Sequence, residues 1–411
     1  MPKLSADQAL VRELNLSLVL RLIHNKGPIS RARIAKKIGL NKSTVSSLVD
    51  DLLQRKLVRE AGIKPGTQAG RPARLLEINP RAGNIIGIEF GVDHISVGLS
   101  NFAGKLLWNR NESVNLETKK EIVLKQTLAI VQEAIQKSKD MDTDVFGIGV
   151  ATPGTVNVDE GLLIFAPNLQ WHNVPLRDFF KENTGINVYV ENDANSAAVA
   201  EKLFGVTKES ENFIFIFAGV GIGGGLFLNG NLYRGHIGYA GEIGHSPIMA
   251  EPFEAPCHCG NRGCWETYAN KLAIIRRAQS RLDARRESIM PLLMEKKKSK
   301  LSLAIIKEAA DQGDKEAIES IQETGKAMAL GVATLVSTLN PKQIVLGGPL
   351  STVGDYLIPE MNKIIKERVL PELIPNVDIL LSSFRDEAGL TGPISIVVDS
   401  ILKQPSQIKR R

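Results

Sequence analysis

The sequence is short of the features that mark secreted, membrane-bound and disulfide-stapled chains. Its 411 residues contain only three cysteines, Cys257, Cys259 and Cys264. An odd, tightly clustered set is poor disulfide material and suits metal ligation better. No apolar run reaches the roughly 18 residues that a membrane-spanning helix needs. The opening MPKLSADQALVRELN has no apolar core of the signal-peptide kind. A cytoplasmic location, with no membrane partner, is therefore expected. The chain also has no good Walker or dinucleotide glycine pattern.

What is present is 43% hydrophobic content, which excludes a mostly disordered chain. The length exceeds the roughly 250 to 300 residues at which single cores stop growing, so two or three domains are expected. The net charge of +6 is unevenly spread. Residues 1–80 carry 15 Lys/Arg against 6 Asp/Glu, and the remaining 331 carry 36 against 39. A basic head on a mildly acidic body favours a nucleic-acid partner for the head.

The head reads as three helices. In LNLSLVLRLIH (14–24), Leu16, Val19, Leu20 and Ile23 share one face, and Gly27 and Pro28 end the helix. Ser30 caps SRARIAKKIG, which stops at Gly39. Asn41 caps NKSTVSSLVDDLLQRK, whose Val45, Leu48, Val49, Leu52 and Leu53 supply a buried stripe. Two short helices joined by a tight glycine turn fit a helix-turn-helix. Its second helix would offer Lys42, Ser43, Thr44, Ser46 and Ser47 to the major groove. Arg31, Arg33, Lys36 and Lys37 would meet phosphates. Two strands, about 57–60 and 74–78, would form a wing around Gly70-Arg71-Pro72, where Arg71 suits an A·T-rich minor groove. A three-helix protein-interaction module and a flexible linker are the plainer alternatives.

From about residue 84 the pattern becomes α/β. Residues 84–108 read as three strands, followed by a helix near 118–138 and a buried strand running into a loop at VFGIGVATPGTV. NVYVENDANSAAVAEKLFG reads as strand, polar loop and helix, with Asn192-Asp193 in a binding loop or a cap. Strand-turn-strand starts recur at 84 and 212, which suggests an internal duplication with a ligand cleft between the halves. Gly219 to Gly225 reads equally as a phosphate loop or a tight hairpin.

The most specific chemistry lies in GEIGHSPIMAEPFEAPCHCGNRGCWE. Cys257-x-Cys259-x4-Cys264, with His245 twelve residues upstream of Cys257, supplies three thiolates and an imidazole for tetrahedral Zn²⁺. Four protein ligands leave no water position, so the ion would be structural. His258 is an alternative imidazole, strained between two ligands. A metal-bound His245 would set Glu242 and Glu266 on either side of it, where both could bind sugar hydroxyls.

GEIGH (241–245), CHCGNRGCWE (257–266) and ENDANSAAVAEKLFG (191–205) together resemble the ROK family of repressors, open reading frames and sugar kinases, over about residues 10 to 400. The resemblance implies a winged helix-turn-helix (1–80) followed by a two-lobed, actin-like and hexokinase-like (ribonuclease H-like) α/β body. The first lobe would span 81–200 and the second 201–411, with the C-terminal helices returning to the first. It further implies a homodimer, zinc on His245, Cys257, Cys259 and Cys264, and a sugar site of Asn168, Asn192, Asp193, Glu242, His245 and Glu266 beside Thr152-Pro153-Gly154. In the family's kinases the aspartate matching Asp193 is the catalytic base. Their Asp-x-Gly-Gly-Thr phosphate loop is replaced here by Glu89-Phe90-Gly91-Val92-Asp93, where a carboxylate would face phosphate, and Ala218 and Val220 stand where kinases carry threonines.

A sugar-responsive repressor that is not an enzyme is therefore expected, most similar to the xylose-responsive branch. It would act as a dimer, or a tetramer, on operator DNA, with xylose as the first choice of effector. The alternatives are a sugar kinase carrying a DNA-binding head and a repressor controlled by a protein partner.

Overall fold

A computed structural model of the chain describes residues 7–64, 73–114, 118–248, 255–385 and 388–410. The head begins with α1 (Gln8–Lys26), capped by Asp7, whose carboxylate accepts from the Ala9 amide. It runs two turns beyond the expected N-terminal bound, because leucines lie on both sides of this helix and the inward stripe alone understates its length. A two-residue strand, β1 (Ile29–Ser30), leads into α2 (Arg31–Ile38), which stops at Gly39 in the left-handed region, φ 72°. Asn41 caps α3 (Lys42–Gln54) by accepting from the Thr44 amide at 2.7 Å. β2 (Val58–Lys64) and β3 (Ala73–Ile78) follow, and β3 lies between β1 and β2 in a three-stranded sheet. The wing is thus present, with one more strand than expected. Arg71 lies outside the described residues.

The body is duplicated. β4 (Asn84–Phe90), β5 (His94–Asn101) and β6 (Leu106–Ser113) form an antiparallel meander, followed by α4 (Lys120–Asp140) and β7 (Val145–Thr152). A small sheet of β8 (Thr155–Asn157), β9 (Leu162–Ala166) and β10 (Trp171–Val174) interrupts. α5 (Leu176–Thr184) and β11 (Val188–Asn192) complete the first half, whose sheet order is β11-β7-β4-β5-β6.

After α6 (Asp193–Phe204), a second antiparallel meander is built from β12 (Phe213–Ala218), β13 (Ile222–Leu228) and β14 (Asn231–Tyr233). Five helices follow: α7 (Trp265–Ala269), α8 (Lys271–Asp283), α9 (Met290–Lys297), α10 (Leu303–Asp311) and α11 (Lys315–Leu339). Then come β15 (Gln343–Gly347), α12 (Gly354–Arg368), β16 (Asp378–Leu381) and α13 (Ala388–Lys403). The second sheet runs β14-β13-β12-β15-β16, so each sheet places two further strands beside the first strand of a meander. Side-chain alternation gives way to continuous apolar runs such as FIFIFA in β12, as strands covered on both faces require.

The chain divides into two compact units, Met1–Val150 with Pro175–Val190 and Pro393–Arg411, and Ala151–Val174 with Glu191–Gly392. In the first, α13 lies close on β7. A Cβ at Gly149 would fall 1.8 Å from the Pro393 carbonyl oxygen, and one at Gly147 2.9 Å from Val397. In the second, the core joins Ile214 and Ile216 of β12 to Trp265, Met328 and Val332.

Candidate functional site

The glycine run of β13 acts as a flat bed. A Cβ on Gly223 or Gly225 would collide with Ala194 or Ala198 of α6, and one on Gly224 with Ile243 of the short 3-10 turn Ile243–His245. Two site-bearing elements therefore approach opposite faces of one strand, as only glycine permits. Gly219 donates its amide to the Gly221 carbonyl, so the run from Gly219 to Gly225 is a tight hairpin turn leading into β13.

The expected polar loop before α6 does not exist. β11 ends at Asn192 and α6 begins at Asp193, because Asn192 itself caps the helix, accepting from the Asn195 amide at 3.1 Å. Its Nδ2 donates to the Gly154 carbonyl at 3.0 Å, which ties the Thr152-Pro153-Gly154 turn to the helix start. Asp193 is the first helical residue, half-buried, with Oδ1 accepting from the Ala194 amide. Beneath it sits a residue that sequence reasoning missed. Glu191, 2% exposed, receives Nε and Nη2 of Arg234 at 3.1 and 2.6 Å, together with the Asn192 amide and Asn195 Nδ2. Its place next to the Asn-Asp pair was its only local signal. Nothing in the spacing marks Arg234 as its partner.

Arg234 opens a loop that closes on itself, with the Ala240 amide donating to the Arg234 carbonyl. Gly241, φ 105°, then passes so near β13 that a Cβ would stand 2.0 Å from the Gly224 oxygen. Glu242 and His245 come next. Nε2 of His245 faces Glu242 at 3.7 Å and Nδ1 faces Glu266 at 3.6 Å. Burial raises the Glu242 carboxyl, the His245 charge pulls it back, and Glu266 adds to the rise. Solvent at its outer edge limits the effect, since 43% of the side chain stays open.

Glu266 is held by α7, which Trp265 pins in place. The indole occupies the space beside Gly331 of α11 and donates to the Ala327 carbonyl at 3.0 Å. Glu266 Oε2 accepts from the Ile222 amide at 3.3 Å. A side chain at Gly221 would come within 3.0 Å of Glu266 Oε2 and 3.8 Å of Asn168 Nδ2, so the hairpin turn, Glu266 and Asn168 share one corner.

The same corner holds the sulfur cluster. Donor atoms of His245, Cys257, Cys259 and Cys264 all lie within 4.8 Å of one another. Cys259 and Cys264 sulfurs are 3.8 Å apart, and Cys257 Sγ is 3.7 Å from His245 Nδ1. Ligands about 2.3 Å from a tetrahedral centre are spaced by about 3.8 Å, so the four donors fit a single ion. His245, not His258, completes the set. Gly260 (φ 94°) and Gly263 (φ 73°) turn the backbone between the cysteines, and Pro247 pairs with Cys264 to bring the histidine segment alongside. Burial pushes the thiols of Cys257 and Cys264 up. Cys257 Sγ also donates to Glu266 Oε1 at 3.0 Å, which links the cluster to the carboxylate corner.

The first strand pair of the body carries Glu89, Gly91 and Asp93. His94 lies over Gly91 so closely that a Cβ there would be 2.2 Å from the ring. Its imidazole contacts Asp93 at 2.9 Å and Glu89 at 3.7 Å. The Glu89 hydrogen bond leads in raising His94, burial opposes it, and Asp93 adds to the rise, bringing it to about 9. The His94 imidazole thus covers Gly91, and the Gly91 amide donates to the His94 carbonyl.

In the head, Lys42, Ser43 and Ser47 are exposed and Thr44 and Ser46 half-buried, along the outward side of α3. Ser43 Oγ donates to the capping Asn41 side chain. Arg33, Lys36 and Lys37 are exposed on α2. Arg31 is engaged within the head, donating to Asp50 at 2.7 Å and to the Ser46 carbonyl at 3.3 Å.

A helix-turn-helix head and wing on a duplicated α/β body with a His/Cys₃ cluster define a kinase-like regulator architecture. The chain belongs to the ROK family, whose model matches residues 85–400, and the MarR family model matches residues 14–60. It is 32% identical to the xylose repressor of Caldicellulosiruptor bescii over 97% of this chain and 99% of that one. Among solved structures it resembles a ROK family transcriptional regulator, a homologue of the E. coli MLC protein, with TM-score 0.82, 28% identity and 96% and 97% of the two chains covered. A ROK family glucokinase from Streptomyces griseus, in complex with glucose and AMPPNP, matches with TM-score 0.68 and 30% identity over 76% of this chain and 99% of that one. That match supports the kinase-like frame of the body.

Proposed function

We propose that the chain is a sugar-responsive transcriptional repressor that reads operator DNA with residues 1–80 and senses a sugar with the rest. One observation carries this reading. A helix-turn-helix whose second helix leaves Lys42, Ser43 and Ser47 exposed to reach a groove belongs to the same chain as a corner where Glu242 and Glu266 flank His245, suited to a polyol. Lys42, Ser43, Thr44, Ser46 and Ser47 meet base edges and adjacent phosphates, while Arg33, Lys36 and Lys37 meet the backbone. Arg31 positions α3 through Asp50 and Ser46 and is released to phosphate when DNA draws it away.

The sugar is held by Asn168, Asp193, Glu242, His245 and Glu266, each offering hydrogen-bond acceptors or donors to hydroxyl groups. Asn192, whose amide is engaged by the helix and by Gly154, orients Asp193. The cluster holds Zn²⁺ through His245, Cys257, Cys259 and Cys264. The ion supplies a fixed crosslink, and the chain's own residues then set the spacing of Glu242 and Glu266. Xylose is the first effector to test, given the named activity of the C. bescii relative. Sugar binds the DNA-incompetent arrangement more tightly and so shifts the population away from the operator.

The test is binding of wild-type protein, at fixed salt, to a duplex it enriches from a random pool, titrated with xylose, glucose and short oligosaccharides. Release by one sugar, at a concentration where the others do nothing, is the expected result. Failure to enrich any duplex overturns the reading.

A kinase reading rests on Asp193 at the start of α6. Against it stand Val92 and Asp93 in the phosphate loop and the His94 imidazole over Gly91. ATP-dependent phosphorylation across a sugar panel separates the two, and no turnover is expected.

A further inference from the structure

Helix α1 is apolar on two opposite sides. Leu16, Val19, Leu20 and Ile23 are buried, in a helix that packs against α2 and α3. Leu10, Leu14 and Leu18 follow one another at four-residue steps, with Val11 beside them, and stay 52%, 56%, 51% and, for Val11, 43% exposed. At about 100° per residue the two sets point about 180° apart. A contiguous row of large apolar side chains open to water marks an interaction surface, so the outer row calls for a cover that the described residues do not provide.

We propose that this row is an interaction surface for α1 of a second copy of the chain, formed when two heads stand side by side on DNA. The proposal rests on the repressor reading above. Charge selects against other occupants. Between Gln8 and Leu22 the helix has three charged residues, and all turn to their own chain: Arg12 to Asp51, Glu13 to the Ser406 amide and Arg21 to Asp399. The row therefore offers no free cation for a phosphate backbone, which DNA contact requires, and no charge of either sign to choose a heterologous partner.

Spacing selects for a copy of itself. Residues at i, i+4 and i+8 form a ridge that packs into the grooves of an identical ridge, the commonest helix-pair geometry. A ridge that meets itself across a two-fold axis is an isologous contact, as two heads on a palindromic site need. Area sets the strength. Four half-exposed side chains per copy amount to a few hundred Å², well under the roughly 1,200 Å² of a stable free-standing pair. The contact thus closes only between heads already held together, and it makes their binding cooperative.

Full-length Leu14→Glu and Leu14→Lys proteins test this on a duplex enriched by the wild type and on its single half-site. Both variants leave the buried face of α1 untouched. Each is expected to bind the single half-site like wild type and the two-site duplex at least tenfold more weakly. Mixing the two variants is expected to restore tight two-site binding through the opposite charges. Unchanged two-site affinity, single-site affinity that falls in step, or no recovery on mixing overturns the ridge and leaves the repressor reading intact. Enriched duplexes with only one half-site overturn it as well. A pool that yields no enriched duplex overturns both.

Discussion

Asp51 of α3 and Arg410, 359 residues further on, form a two-point ion pair with both Arg410 contacts at 2.9 Å. The carboxylate is 3% exposed and also receives Arg12 at 2.7 Å and Arg55 at 2.8 Å. Arg55 donates onward to the Ser406 and Ile408 carbonyls, and Ser17 donates to the Leu402 carbonyl. The helix expected to enter the groove is thus fastened to the segment that follows α13.

Replacing Asp51 should loosen the head. Burial alone would raise its carboxyl, but the Arg410 and Arg12 hydrogen bonds and the Arg55 charge bring it down to about 2, from an ordinary 3.8. A depressed folded value means stability that is present above about pH 4 and lost as pH falls towards 2, worth about 2 kcal/mol. Asp51→Asn should remove a similar amount at neutral pH, read by denaturant unfolding. Arg410→Ala, whose side chain is 55% exposed, should cost less than Asp51→Asn.

Elemental analysis of purified protein should find one zinc per chain. Cys264→Ser should abolish it and lower the melting temperature, because four donors brought into one corner serve folding as well as binding. A strong chelator should produce the same fall in wild type. Zinc-free protein with an unchanged melting temperature would count against the site.

Arg234→Ala should leave the buried Glu191 carboxylate unpaired, at a cost of about 3 kcal/mol. The loss falls beneath Asn192 and Asp193, so calorimetry should show weaker sugar binding. Operator affinity without sugar should be unchanged. Arg234→Lys, which keeps the charge but not the two-nitrogen contact, should recover part of the sugar affinity.

His94 should titrate near pH 9 by NMR. Because its folded value is raised, its contribution is complete below about pH 6.5 and is lost as pH rises through about 9. Its 41% exposure keeps that contribution small. His94→Ala should abolish the titration and free the Gly91 surface, yet calorimetry should still detect no ATP binding, since Asp93 remains to repel phosphate.

Lys42→Ala should weaken operator binding and reduce the slope of log affinity against log salt by about one. Arg33→Ala should act in the same way without altering sequence preference. Ser47→Ala should change preference between duplexes more than salt dependence.

Much of the head was legible because its signals are local. Caps at Ser30 and Asn41 and the stop at Gly39 each depend on residues within a few positions. The duplicated strand-turn-strand starts and the metal spacing were visible for the same reason. The polar loop before α6 was misread because Asn192 suits a loop and a cap equally, and only its Asn195 and Gly154 partners decide between them. The glycine run of β13 read equally as a phosphate loop and a hairpin, and only its pairing with β12 and the approach of α6 and Ile243 to its two faces explain why the residues are glycine.

By itself the sequence determined the family and marked out the four side chains that gather as the His/Cys₃ cluster, since these follow from side-chain chemistry at short spacing. Only the tertiary structure decided that Asp51 meets Arg410, that Arg234 pairs with the Glu191 that holds the Asn192 amide, and that His94 closes the glycine turn. Those pairs bring together charges that have no periodic relation along the chain or, at His94, a side chain whose direction the backbone turn sets. Burial then makes each contact matter, by removing the water that would otherwise compete for it.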